Sequence, residues 1–126
     1  MSQKDLDFCQ KLADLADEIS MARFGALDLV IETKPDLTPV SDADKKVEEE
    51  LRKLILEYSP TDSIIGEEFG VDGKSNREWI LDPIDGTKNF VRGVPFWGTL
   101  IGLRIDGKMN VGMVSAPALG RRWFGA

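Results

Sequence analysis

The sequence predicts an α+β fold, with helices layered on one face of a mainly antiparallel sheet. Three observations predict it. Two amphipathic helical segments lead the chain, several apolar runs of strand length follow them, and two of those runs flank an Asp106-Gly107 pair that reads as a tight hairpin.

The first helix spans residues 3–24, because Phe8, Leu12, Leu15, Ile19 and Ala22 recur at steps of four and three. Ser2 is placed to cap it and Gly25 to end it. Residues 27–32 read as a short strand or extended piece. Pro35 and Pro39 then keep residues 34–40 out of a helix. A second helix starts at Ser41 and runs to about Tyr58, with Val47, Leu51, Leu54, Ile55 and Tyr58 on its apolar side and Pro60 beyond its end. Strands are expected at 63–66, around Trp79-Ile80-Leu81, at 96–105 and at 108–116, with 71–77 as a polar loop. Residues 117–120 form a turn, and 121–126 read as the start of a further strand. No internal repeat or inter-domain linker interrupts the 126 residues, a length suited to one domain at most.

Composition narrows the function. With 22 acidic and 16 basic residues the net charge is −6, the opposite of a nucleic-acid footprint, so no nucleic-acid partner is expected. The polar start at Met1 and the absence of a long apolar run predict a cytoplasmic protein with no membrane partner. Cys9 is the only cysteine, which excludes an intrachain disulfide. The chain contains no histidine, which excludes chemistry using histidine as nucleophile, acid or metal ligand within it. A cysteine-based phosphatase loop is absent as well.

The chemistry-bearing stretch is 79–87. An apolar strand, Trp79-Ile80-Leu81, delivers Asp82 and Asp85 to its end, three positions apart. Pro83 stops the strand and forces a turn that can bring both carboxylates and the Ile84 carbonyl together. Oxygen-only donors of this kind suit a hard cation such as Mg²⁺. Gly86 permits close backbone approach, and the amides of Gly86 and Thr87 can meet a phosphate where a helix begins. The plainer alternative is that Asp82 caps a turn and Asp85 sits in an ordinary Asp-Gly bend. Aspartyl-phosphate phosphatases also place two aspartates before Gly-Thr, but theirs are two apart.

Elsewhere, Gly66-Glu67-Glu68 follows a buried strand; the pair is either solvated or relieved by a cation, and Glu67 faces Asp82 only if the two strands are neighbours. Asp44 stands three residues after Ser41, at capping-box spacing, so a structural role is its default. Lys34 reads as a solvated lysine, and Arg121-Arg122 as a surface pair on a strand edge.

Together these pieces resemble the inositol monophosphatase superfamily over nearly the whole chain. Asp82-Pro83-Ile84-Asp85-Gly86-Thr87 is similar to its first signature, Ile65-Gly66-Glu67-Glu68 stands where it places a metal-ligand glutamate, and Val40-Ser41-Asp42-Ala43-Asp44 looks like its Val-Thr-x-x-Asp segment. The resemblance implies an αβαβα sandwich, with residues 1–126 as the N-terminal metal-binding half of a phosphatase domain. It implies a Mg²⁺-dependent phosphomonoester hydrolase using metal-activated water. Glu67, Asp82 and the Ile84 carbonyl would hold a first Mg²⁺, Asp82 and Asp85 a second, and Glu67 a looser third, so these carboxylates should converge on one point. Thr87, partnered by Asp44, would orient the attacking water, with Glu67 counted among the catalytic residues. The amides of Asp85, Gly86 and Thr87 would bind the substrate phosphate.

Within the superfamily, residues 85–95 and 115–123 are most similar to histidinol-phosphate phosphatases of the actinobacterial type. That implies a small phosphorylated substrate, a place in histidine biosynthesis, and a homodimer when complete. Inositol-1-phosphate phosphatases are the alternative, and a non-catalytic metal- or partner-binding chain of the same fold is a second. The superfamily's second signature, a Trp-Asp pair, does not occur here: Trp79, Trp97 and Trp123 precede Ile80, Gly98 and Phe124. A truncated chain, inactive by itself, is therefore the expectation.

Overall fold

The computed structural model describes residues 2–125. Helix α1 runs Gln3–Arg23, capped by the Ser2 hydroxyl, which accepts from the Asp5 amide. Strands β1 (Ile31–Thr33) and β2 (Pro39–Ser41) pair as a small antiparallel ribbon that leads directly into α2, Asp42–Tyr58. Ser41 caps α2 through a complete capping box with Asp44. The main sheet is built from β3 (Ser63–Gly66), β4 (Gly70–Asp72), β5 (Arg77–Asp85), β6 (Gly98–Ile105), β7 (Lys108–Ala116) and β8 (Arg121–Gly125), with a short α3 at Thr87–Val91 between β5 and β6.

The spatial order of the sheet is β4-β3-β5-β6-β7-β8. The pairs β3–β4, β5–β6, β6–β7 and β7–β8 are antiparallel and β3–β5 is parallel, so the sheet is mainly antiparallel, as expected, with a parallel pair at β3–β5. Two sequence expectations are corrected. The stretch 71–77 is not wholly loop, because β4 folds back on the outer side of β3 and leaves room for β5 on the other. All three residues of β4 are exposed, which removes the alternation that would have marked them as a strand. The expected strand at 27–32 forms later, at Ile31–Thr33. Ala126, at the end of the expected last strand, lies outside the described residues. The hairpin between β6 and β7 turns at Asp106 and Gly107, both with positive φ (51° and 78°), as an Asp-Gly two-residue turn requires.

Both long helices lie on one face of the sheet. Leu12, Ala16, Val47, Leu51 and Ile55 pack against Trp79, Leu81, Ile101, Leu103, Val111 and Met113. Each fully buried large side chain here contributes roughly 1.5–3 kcal/mol. Phe8 stacks on Tyr58 at a centroid distance of 3.8 Å and meets Trp79 edge-on at 5.5 Å. The Trp79 indole N–H donates to Asp62 Oδ2 at 2.9 Å, so the largest core side chain leaves no buried donor unpaired. The alternate residues Ile80, Leu100, Gly102, Gly112 and Val114 line a groove of about 450 Å³ on the other face.

Arg122 is not a loose surface residue. It reaches across from β8 to Asp14 (2.9 Å), Asp17 (2.7 Å) and Gln10 (2.8 Å) on α1, tying the edge strand to the helix layer. Arg121 is exposed, as expected of an edge position. Among the described residues no helix is long and apolar enough to cross a membrane.

Candidate metal and phosphate site

The site gathers where β3 ends beside β5, which runs on to Asp85. Their parallel register pairs Gly66 with Leu81, so Glu67, the residue after β3, follows level with Asp82 of β5. The Glu67 amide donates to the Leu81 carbonyl at 3.1 Å, extending the ladder by one bond. The strand adjacency on which the pairing of Glu67 with Asp82 depended is therefore present.

Contrary to the expectation that Pro83 stops the strand, β5 continues to Asp85, with its register against β6 shifted between Asp82 and Asp85, where Pro83 has no amide hydrogen to donate. The Thr99 hydroxyl takes up the Pro83 carbonyl at 2.8 Å. Gly86 then adopts φ +90°, in the left-handed region, and α3 starts at Thr87. The first-turn amides of a helix have no acceptor within it, so this turn offers backbone donors to an anion.

Asp44 does two jobs. Its Oδ1 accepts from the Ser41 amide (2.8 Å) and hydroxyl (2.5 Å), completing the cap, while its Oδ2 accepts from the Thr87 hydroxyl at 2.8 Å. The same hydroxyl lies 3.0 Å from the Ile84 carbonyl. It has a single proton, so it serves one acceptor at a time. The capping role was the sequence default; the link from Asp44 to Thr87, 43 residues away, joins it to the site as well.

Glu67, Asp82, Ile84, Asp85, Gly86 and Thr87 line one cleft of about 310 Å³, together with Lys34 and Glu68. Burial first, then Asp85, Glu67, Glu68 and Asp44, push the Asp82 carboxyl up to about 7. Among the described residues, however, no three carboxylates come close enough together to hold a cation as they stand. The residues share the cleft without meeting at one point, an arrangement that like-charge repulsion favours.

Three contributors escaped sequence reasoning. The first is Lys34, whose ammonium lies 3.0 Å from Glu68 and 3.8 Å from Glu67, replacing the expectation of a solvated lysine. Burial alone would lower it; the Glu68 hydrogen bond and the surrounding acids leave it raised. The second is Glu68, whose side chain is 5% exposed against 58% for Glu67. Burial raises its carboxyl despite Lys34. The third, Glu48, is fully buried on α2 and holds the turn after β3. No local signal marks Lys34 or Glu48, since their partners lie far along the chain. Glu68 could have been found from its place beside Glu67.

A cleft walled by carboxylates from β5 and the turn after β3, with helix-start amides beside it, defines a class of α+β site whose donor set suits a hard divalent cation and an anion together. A model of the inositol monophosphatase family matches residues 2–126, and the chain belongs to that family. It is similar to the histidinol-phosphatase of Mycobacterium tuberculosis, 58% identical over 100% of this chain and 49% of that protein. The histidinol-phosphatase of Streptomyces coelicolor is likewise 58% identical, over 95% of this chain and 47% of that protein. Among solved structures, an IMPase of Thermotoga maritima superposes with a TM-score of 0.90 at 32% identity, over 98% of this chain and 48% of that one. An inositol monophosphatase from Zymomonas mobilis superposes with a TM-score of 0.81 at 37% identity, over 100% and 49%. The chain spans about half the length of the curated relatives it matches.

Proposed function

We propose that residues 1–126 form the metal-binding half of a Mg²⁺-dependent phosphomonoesterase whose substrate is histidinol phosphate. The observation that carries the proposal is the parallel pairing of β3 with β5, which puts Glu67, just past the end of β3, in one cleft with Asp82 and Asp85 of β5, in a chain 58% identical to two histidinol-phosphatases. Glu67, Asp82, the Ile84 carbonyl and Asp85 are the residues that would hold Mg²⁺. Their oxygen-only donors fit that ion, and the repulsion among them is what a divalent charge relieves. When bound, the ion supplies Lewis-acid stabilisation of charge on the phosphate and leaving oxygen, and makes water more acidic.

The chain's own groups do the rest. With its proton given to Asp44, the Thr87 hydroxyl presents lone pairs to the cleft and can accept from a water, orienting it for attack. The backbone amides at Asp85, Gly86 and Thr87 bind the phosphate at the start of α3. The work belongs to a cytoplasmic enzyme of histidine biosynthesis, acting as a homodimer.

Phosphate release from histidinol phosphate tests this, with inositol-1-phosphate as the comparison, each with Mg²⁺ and with EDTA. Both the chain and a version extended to its relatives' length are assayed. Release that needs Mg²⁺ and is faster from histidinol phosphate is expected of the extended version, with the chain alone far slower. Equal rates on the two esters would remove the substrate assignment, and release indifferent to EDTA would remove the mechanism.

A further inference from the structure

Glu48 stands one helical turn after Asp44 on α2, on the same side of the helix. It is 0% exposed. Its carboxylate accepts from the Glu68 amide (2.8 Å, Oε1), the Phe69 amide (2.8 Å, Oε2) and the Arg52 Nε (3.0 Å, Oε2). Arg52 continues the grip, donating to the Gly70 carbonyl at 2.5 Å and to Asp72 Oδ2 at 2.9 Å. One backbone group of each residue from Glu68 to Gly70 is thus tied to α2, while the Glu67 amide is tied to the Leu81 carbonyl.

The contact is close by design of the sequence. A Cβ at Gly66 would fall on the Glu48 carboxylate, so only glycine lets the end of β3 approach. Stability alone is a poor reason for this arrangement, since apolar residues of similar volume often stabilise as well as a buried ion pair. An apolar side chain, however, cannot accept two consecutive amide hydrogens and so fix the path of a turn.

We infer that Glu48 is a positioning residue of the acidic cleft: it sets where the turn carrying Glu67 and Glu68 stands relative to Asp82 and Asp85. Asp44, one turn earlier, does the same for Thr87, so a single helix locates both turns of the site. The inference rests on the reading that this cleft binds a divalent cation.

The test uses Mn²⁺ alone as probe, followed by calorimetry well below the melting temperature, with amide exchange at Glu68 and Phe69 measured in parallel. Glu48→Gln should weaken Mn²⁺ binding about tenfold or more, as loss of a group supporting metal ligands commonly does. Exchange at the two amides should accelerate, while far-ultraviolet circular dichroism stays unchanged. Gly66→Ala keeps Glu48 and Arg52 but crowds the contact, and should weaken binding in the same direction. Asp82→Asn separates the two levels of the argument. If it leaves Mn²⁺ binding intact, the cation reading is wrong and the inference falls with it. If it abolishes binding while folded Glu48→Gln binds as the wild type does, the positioning role alone is overturned. Should Glu48→Gln not fold, Gly66→Ala decides: faster exchange with unchanged Mn²⁺ affinity would overturn the inference, and weakened affinity would support it.

Discussion

The Thr87 hydroxyl donates to Asp44 Oδ2 across 2.8 Å, so the first turn of α2 and the first residue of α3 are held together by one side-chain hydrogen bond. Asp44 is buried, and its other oxygen is already engaged by Ser41. Thr87→Val should therefore leave Oδ2 without its donor at little change in volume. Stranding a buried acceptor costs about 1–3 kcal/mol. Urea denaturation should show that loss for Thr87→Val and almost none for Thr87→Ser. Equal stability of Thr87→Val and wild type would mean that water or another group replaces the hydroxyl.

Asp82→Asn should leave the fold intact and melt no lower than the wild type when EDTA is present. Asp82 is crowded by Asp85, Glu67, Glu68 and Asp44, so removing its charge relieves repulsion rather than breaking a pair. Differential scanning calorimetry checks this, and a melting temperature lower by several degrees would show that Asp82 holds the fold together.

Asp5 gives a pH-dependent contribution of the opposite kind. Burial would raise its carboxyl, but Arg77 and the Tyr58 hydroxyl outweigh burial and leave it below the ordinary value. A depressed folded pKa means stability that is full above the unfolded value, about 3.9, and lost as pH falls through the folded one. Asp5→Asn should be less stable than wild type by about 2 kcal/mol at neutral pH. That gap should narrow as the pH drops below about 4. A gap independent of pH would assign the effect to packing.

Cys9 is fully buried among the helix-layer residues, and burial followed by the charge of Asp5 pushes its thiol up to about 12. A thiol so placed presents almost no thiolate. A disulfide reagent at about pH 8 should leave the folded protein unlabelled and label one thiol per chain in denaturant. Rapid labelling of the folded form would mean that α1 opens readily from the sheet.

The parts of the fold that were legible in the sequence are those whose signals are local. The helix starts at Ser2 and Ser41 each place a hydroxyl before an apolar stripe, and Asp106-Gly107 marks its hairpin by backbone chemistry alone. Asp82, Ile84, Asp85, Gly86 and Thr87 were legible for the same reason, lying in one strand-turn-helix stretch. The parallel pairing of β3 with β5 and the exposed strand β4 depend on contacts between segments, for which a single sequence offers no period. Lys34, Glu48 and Arg122 were missed on those grounds: each acts on a partner in another element. A long charged side chain reads as solvated until its partner is known.

Mg²⁺ titration by calorimetry, on the wild type and on Asp82→Asn, tests the central claim most directly, namely that Glu67 after β3 and the last residues of β5 form a divalent-cation site. Saturable binding is predicted for the wild type and its loss for Asp82→Asn, with both proteins folded. Identical titrations from the two, whether both bind or neither does, would contradict it.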